Sequence, residues 1–501
     1  MSSKKAPARA WLGIHVLVCL AVIFLAWEFS LQYGPFARAE NECGYDKEVF
    51  KYMGMLIATG HAPYRDGFDH KPPMLYFLHA FTHRWDPMGP WVLETALLAL
   101  SALALYWIAL RRRWPLPFLY PAYWVALLRT GDFIAGGGLT RSFGATFAML
   151  FAALALVELP FAALGMGAFF ACCFFLQQND AMPLGLLMIF HLTKAKRWKR
   201  ELAQMAAGAA LVTAPILGWF LWKGAFREFV DQAFLFNTRL YVDPHVAGNL
   251  WSRLKRTVKD FGLKNWFTVA AVLFVFLPRK IFWNKRILRE PLAWITLGMF
   301  AEMCFMNIAG VLYQQYFLGL LVWVMLFTGE LFRLYALHPE QTVHRRYMYF
   351  LLLALLYVLP NPSIGRSFQD YWKLVKADKQ PGICGSQIEE FAREVAGQPG
   401  QFYSFGNVMY LSLNRHYDIM APTIWIYTHF WNQLPKEKWD GDRKEFQKII
   451  DGIERYKTKY VYMESTREHP PFLDAGLNDA WFRYFFAHYK HVARNVWRRR
   501  E

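Results

Sequence analysis

The sequence predicts a mainly α-helical, polytopic membrane bundle of about eleven transmembrane helices, with a small extracytoplasmic α/β domain at its C-terminal end. Three observations predict it. Apolar runs of roughly 17–25 residues, long enough to cross a bilayer, recur from Trp11 to Leu356 in a chain of 501 residues that is 55% hydrophobic. Short Lys- and Arg-rich loops separate several of these runs and fall on one side when every span is counted. From about Asn361 onward the apolar runs shorten and charges become frequent.

The spans are expected near Trp11–Tyr33, Trp91–Leu110, Pro115–Leu128, Phe143–Leu164, Gly165–Gln177, Met182–Leu192, Leu202–Trp222, Trp266–Phe282, Pro291–Ala309, Tyr316–Leu331 and Tyr347–Leu359. The fifth and sixth are short and form a hairpin around Gln177–Pro183. The first follows Lys4, Lys5 and Arg9 as a signal peptide would, but no small-residue cleavage site closes it and further spans follow. The basic loops at Arg111–Arg113, Lys194–Arg200, Arg279–Arg286 and Arg345–Arg346 join that N-terminus on the cytoplasmic side. A transmembrane domain over 1–360 then turns an outer loop, 34–90, and the soluble 361–501 domain outward. In the latter, Ser386–Val395 has helical spacing, Gln401–Phe405 and Lys459–Met463 alternate like strands, and Lys436–Tyr456 and Asp479–Lys490 read as amphipathic helices. Phe226–Leu263 is expected as an amphipathic segment along the membrane surface.

The 56 Lys and Arg against 38 Asp and Glu give a net charge of +18. Much of it sits in loops at membrane edges, where anionic membrane lipids attract it, so nucleic acid is not an expected partner. The Arg494–Arg500 cluster is expected in head groups or solvent. Cys19, Cys172, Cys173 and Cys304 fall within spans as small apolar residues. Cys43 and Cys384 fall on the outer, oxidising side, either as a disulfide tying loop to domain or as two separate thiols.

The outer loop from Glu40 to Leu78 concentrates acids, bases and His between apolar runs. Charge near a bilayer is costly unless solvated, paired or used. Asp46 opens a helix in which Val49, Phe50, Met53, Leu56 and Ile57 share a face. It is read as an N-cap or as a general base. With Glu42 it could also ligate a divalent cation such as Mg or Mn. In PYRDGFDHKPPMLYF, Pro63 and Pro72–Pro73 fix a backbone carrying Arg65, Asp66, Asp69, His70 and Lys71. Arg and Lys suit phosphate oxygens; head-group contact is the alternative. Gln177, Gln178, Asn179 and Asp180 form a polar hairpin tip, while Asn237, Arg239 and Tyr241 line the outer cavity or anchor an interfacial helix.

The strings D-x-x-V-F-x-Y-x-G and G-x-x-P-Y-R-D-x-x-D-H-K-P-P-x-L-Y resemble the first outer loop of GT-C glycosyltransferases of the aminoarabinose-transferase-like and protein O-mannosyltransferase-like kinds. Gly137–Thr140, Phe174–Asn179, Phe234–Asn237 with Tyr241, and Tyr313–Leu318 resemble later segments. The resemblance implies a polyprenyl-phosphate sugar as donor and a lipid, glycan or protein acceptor on the periplasmic face of a bacterial inner membrane. It implies Asp46 as catalytic carboxylate and Lys71 beside the donor phosphate, with Arg65 and His70 as weaker matches. Asn237, Tyr241, Gln178, Asn179 and Arg141 are the implied substrate contacts. Arg141 stands where related bacterial sequences often carry an acid, with Asp132 and Asp180 as compensating acids, which puts acceptor and metal use in question. A lipid transporter is the rival class. Transporters place polar sites at the midplane of repeated halves, whereas here polar residues gather at one face without a repeat. A non-catalytic homologue is the third reading.

Overall fold

The computed structural model describes residues 8–31, 45–86, 88–128, 138–157, 159–238, 251–255, 257, 290–307, 314–337, 386–405, 410–426, 442–463 and 475–501. Glu42, Cys43, Asp132, Arg239, Tyr241, Cys384 and the spans expected at 266–282 and 347–359 lie outside the described residues.

The helices run α1 (Ala8–Leu31), α2 (Tyr45–Ala58), α3 (Met74–Thr82), α4 (Met88–Arg111), α5 (Leu119–Leu128), α6 (Thr140–Leu156) and α7 (Ala162–Leu176). They continue as α8 (Gln178–Ala181), α9 (Leu184–Lys194), α10 (Trp198–Trp222), α11 (Phe226–Val230), α12 (Pro291–Met306) and α13 (Phe317–Leu337). The C-terminal region adds α14 (Glu389–Glu394), β1 (Phe402–Phe405), α15 (Leu411–His416), α16 (Asp442–Tyr456), β2 (Tyr460–Met463), α17 (Ala475–His488), β3 (Tyr489–Ala493) and β4 (Val496–Arg499).

Among the described residues, α1, α4, α10 and α13 are long and apolar enough to cross a membrane, and α5, α6, α7 and α12 are shorter apolar helices. Leu12, Leu17 and Phe24 on α1 stay 65%, 67% and 56% exposed, an arrangement suited to lipid rather than water. The apolar window of α13 is instead 94% buried, so this helix forms the centre of the bundle. These features mark an integral membrane protein. Close approach between α7 and α10 depends on Gly167 and Gly208, since a Cβ on either would strike the facing backbone.

The break between the fourth and fifth spans, expected after Leu164, comes earlier. Helix α6 ends at Leu156, Val157 is extended, and α7 starts at Ala162 after Phe161 at φ 63°. Pro160 cannot continue a helix from the preceding turn, and this outweighs the continuous apolar run. At the far end of α13, Glu330 is fully buried and accepts from Arg112 at 2.7 Å, Arg333 at 2.8 Å and the Trp114 indole at 3.1 Å. Arg112, from a basic loop, therefore meets α13 at the end opposite Gln315.

The C-terminal sheet has the order β1-β2-β4-β3, with β1 and β2 parallel and the other pairs antiparallel. Strands β1 and β2 match the sequence reading. Helix α17 ends at His488, two residues short of the expected Lys490, and the basic stretch beyond it becomes β4. Arg494 at φ 34° starts the Arg494–Asn495 turn that folds β4 back onto β3.

Helices α2 and α3 pack through Gly54, where an added Cβ would come within 2.6 Å of the His79 Cβ. His79 is 2% exposed, and among the described residues neither ring nitrogen has a hydrogen-bond partner. Burial holds its pKa well below 6.5, with Lys51, Arg415 and Lys47 adding to the effect. The folded chain thus refuses a proton that the unfolded chain takes. Stability is whole above about pH 6.5 and is lost as pH falls below it. His79→Leu is expected to raise the unfolding midpoint at both pH values by removing an unpaired N–H worth about 1–3 kcal/mol, and by more at pH 5.5 than at pH 8, because only at the lower pH does the unfolded wild type gain a proton at His79. Equal acid slopes in thermal unfolding of the two proteins would refute this.

Candidate active site

The site is built on α2. From Lys47 to Leu56 this helix is buried on every side, Glu48, Tyr52 and Met55 as well as Val49, Phe50 and Met53, and Asp46 is exposed because it stands at the N-terminal end, in the first turn. A helix N-terminus favours a carboxylate. The Gln315 side chain, just before α13, approaches Asp46 Oδ2 at 3.5 Å. Buried Glu48 follows on the same turn. Burial opposes its charge, but Arg415, Lys51 and Lys47 outweigh that and hold its pKa below the usual carboxylate value.

The loop from Ala62 to Pro73 folds back against α2. Tyr64 sits at φ 71°, a rare conformation for a bulky side chain. Its ring packs on Tyr76, Phe220 and Phe229 with centroids 5.9, 5.5 and 5.6 Å away, and its hydroxyl donates to the Lys71 carbonyl at 2.6 Å. The strain is held by packing and aims the end of the loop. Asp69 is 2% exposed and accepts from the Tyr76 hydroxyl at 2.5 Å and the His70 amide at 2.7 Å. Burial pushes the Asp69 carboxyl up to about 6; Tyr76, Lys71 and the His70 amide restrain it, and Asp46 adds to the rise. Lys71 remains half-buried. Burial, then Lys71, keep His70 well below 6.5, so its ring is neutral.

A third wall comes from α11. The backbone there widens into a π turn, Asp231–Leu235, a feature often found at functional positions. The Ala233 carbonyl receives both the Gln178 side chain at 3.2 Å and the Asn237 side chain at 3.0 Å. Asn237 also donates to the His70 carbonyl at 2.7 Å. Gln178, His70 and Asn237, far apart in sequence, meet at this turn. Asn179 is half-buried at the hairpin tip.

Beneath lies a buried ionic cluster. Arg141, 1% exposed, pairs with Asp180, lies 4.0 Å from Glu302 and stacks 4.3 Å from the Tyr316 ring centroid. Asp180 and Glu302 are 3% and 1% exposed. Gly319 makes room for Glu302, since a Cβ there would overlap its carboxylate. Tyr316 adjoins Gln315, which links this cluster to the Asp46 side.

No family model matches the chain, and no curated protein matches it. Several solved chains are similar to it. Two of them are the crystal structures of ArnT from Cupriavidus metallidurans, one bound to undecaprenyl phosphate and one in the apo state. Each is 15% identical, with a TM-score of 0.48, over 83% of this chain and 86% of that chain.

His70, Asn237 and Gln178 thus meet at the π turn with Lys71 next to His70 in the chain, while Asp46 contacts Gln315. Arg65 lies apart from them: its guanidinium engages Asp66 at 3.0 Å and the Lys223 carbonyl at 2.7 Å. Arg141 is engaged by two acids rather than facing an open space. Among the described residues no cluster of His, Cys, Asp and Glu suits a metal ion. Sequence reasoning passed over Tyr76 and Glu302 and gave Asp69 no role. Asp69 and Tyr76 stand in the same motif as Lys71, which was the available signal. Glu302 offered one too, as a carboxylate inside an apolar run.

Proposed function

We propose that the chain is an integral-membrane glycosyltransferase of GT-C type. It moves a sugar from a polyprenyl phosphate to a hydroxyl or amine of a lipid, glycan or protein at the periplasmic face. The observation that carries this reading is the junction at the π turn, where Asn237 donates to the His70 carbonyl at 2.7 Å and Gln178 to the Ala233 carbonyl at 3.2 Å, beside Lys71 in the loop whose motif resembles that family. Asp46 takes the proton from the acceptor as its oxygen or nitrogen bonds to the sugar carbon. The bond from that carbon to the donor phosphate breaks, and the phosphate leaves with the electron pair. Lys71 stabilises the charge that develops there. One base and direct displacement give inversion. Asn237 and Gln178 hold the wall that His70 closes. As the alternative use of the same carboxylate, Asp46 with Glu42 would hold a divalent cation, Mg or Mn, which would offset the charge of the phosphate.

The test is transfer of radiolabelled sugar in proteoliposomes, from a panel of polyprenyl-phosphate sugars to membrane extract. Product that forms with wild type and is lost in Asp46→Asn supports the reading, and product equal in both sinks it. The buried Arg141–Asp180–Glu302 cluster among apolar helices favours one rival, a lipid transporter. Donor movement across the bilayer without any transfer would decide for that rival.

The pH profile carries a further prediction. Ionised Asp69 accepts the two donors that hold the Lys71 loop, so kcat/KM is expected to fall on the acid side near pH 6. Tyr76 lowers this pKa by donating to the carboxylate. Tyr76→Phe is therefore expected to move the acid limb upward, and an unmoved limb would assign it to another group.

A further inference from the structure

The C-terminal domain touches both halves of the site. Arg415 on α15, 6% exposed, donates from Nε to Glu48 at 3.3 Å and pairs with Asp86. Lys51 lies 4.0 Å from Glu48 and 3.7 Å from Asp86, which closes a buried ionic ring. One turn along α2, the Tyr52 hydroxyl accepts from the Ala421 amide at 2.8 Å. On the loop, the Phe68 amide donates to the Ile424 carbonyl at 2.7 Å, and the Phe68 ring lies 4.5 Å from that of Trp425. Phe68 directly precedes Asp69. At the rim, His83 meets Asp418 at 2.7 Å.

From these contacts we infer that Arg415 is a positioning residue, through which the C-terminal domain fixes α2 and the Asp69–Lys71 loop against each other. Glu48 is two residues from Asp46, so a rotation of α2 freed by losing Arg415 moves the Asp46 carboxylate directly. Arg415 touches no reacting atom. It acts through Glu48 and Asp86, two buried carboxylates that Arg415 neutralises at closer range than Lys51 does. The inference rests on the proposed reaction at Asp46 for its kinetic arm alone.

The experiment compares full-length wild type, Arg415→Met, Arg415→Lys and His83→Gln in nanodiscs. Hydrogen exchange is followed by mass spectrometry, and transfer kinetics are measured on the same preparations. Arg415→Met is expected to speed exchange across 47–58 and 62–71 by about tenfold, with the amides of α4, α6 and α13 unchanged. It is also expected to lower kcat about tenfold at a donor KM within about twofold, because a small misplacement of reacting groups costs rate before binding. Arg415→Lys keeps the charge but not the fork; it is expected to fall between, and it serves if Arg415→Met does not fold. His83→Gln, at the rim, is expected to match wild type. Unchanged exchange in 47–58 overturns the inference, whatever the activity. Faster exchange with unchanged kcat overturns it too. If wild type transfers no sugar, the proposed reaction fails, and the exchange data alone decide whether Arg415 holds α2.

Discussion

Asp46→Asn is expected to lower sugar transfer by about 10²–10⁴-fold, the usual contribution of a positioned general base. Little else should change. Asp46 is exposed, and a substitution at such a position moves stability by roughly 0.5 kcal/mol or less. Loss of transfer with an unaltered unfolding curve therefore separates chemistry from folding. Lys71→Ala is expected to cost about 10²–10³-fold, as for a lost donor to developing negative charge. The double variant should fall short of the product of the single losses, because residues acting on one transition state are not additive. Transfer persisting in both single variants would move the site elsewhere on the molecule.

Arg141→Met is expected to destabilise the protein by about 3–5 kcal/mol, the cost of leaving a buried charge without its partner. Here two carboxylates, Asp180 and Glu302, would lose the shared cation. Adding Asp180→Asn to Arg141→Met should recover part of the loss, read as the unfolding midpoint in detergent. Arg141→Lys should be intermediate, keeping the charge while losing the guanidinium plane that lies over Tyr316. A stable Arg141→Met that binds donor poorly would instead return Arg141 to the role implied by the family resemblance, contact with substrate.

Much of the site was legible because its residues are close in sequence. Asp46 stands in the first turn of α2, whose apolar spacing is legible, and Asp69, His70 and Lys71 stand against a rigid Pro-Pro. Local pattern sufficed there. It failed where the partner is remote. The sequence offers Asp180 as an acid compensating for Arg141, not as its ion-pair partner, and Glu302 lies in an apolar run with no sequence cue to its direction. Arg65, read as a weaker match for the donor phosphate, has its guanidinium on its neighbour Asp66, a contact that adjacency alone suggests. Strand β4 was hidden by its arginines, since a basic stretch reads as solvated surface until an edge such as β2 receives it. The π turn that brings Asn237 to His70 has no sequence signature.

Arg415 meets Glu48 across 367 positions, and Ala421 meets Tyr52 across 369. A ribosome adding about 5–20 residues per second needs about 20–70 s to travel from one partner to the other. For that interval the newly made α2 carries Asp46 and the Lys71 motif without the residue proposed to seat them. The seating of α2 then arrives with Arg415 rather than with the motif, so a product truncated before Arg415 is expected to insert its helices with α2 unseated and to carry out the proposed transfer more slowly. The order of synthesis itself then delays full activity in the proposed reaction.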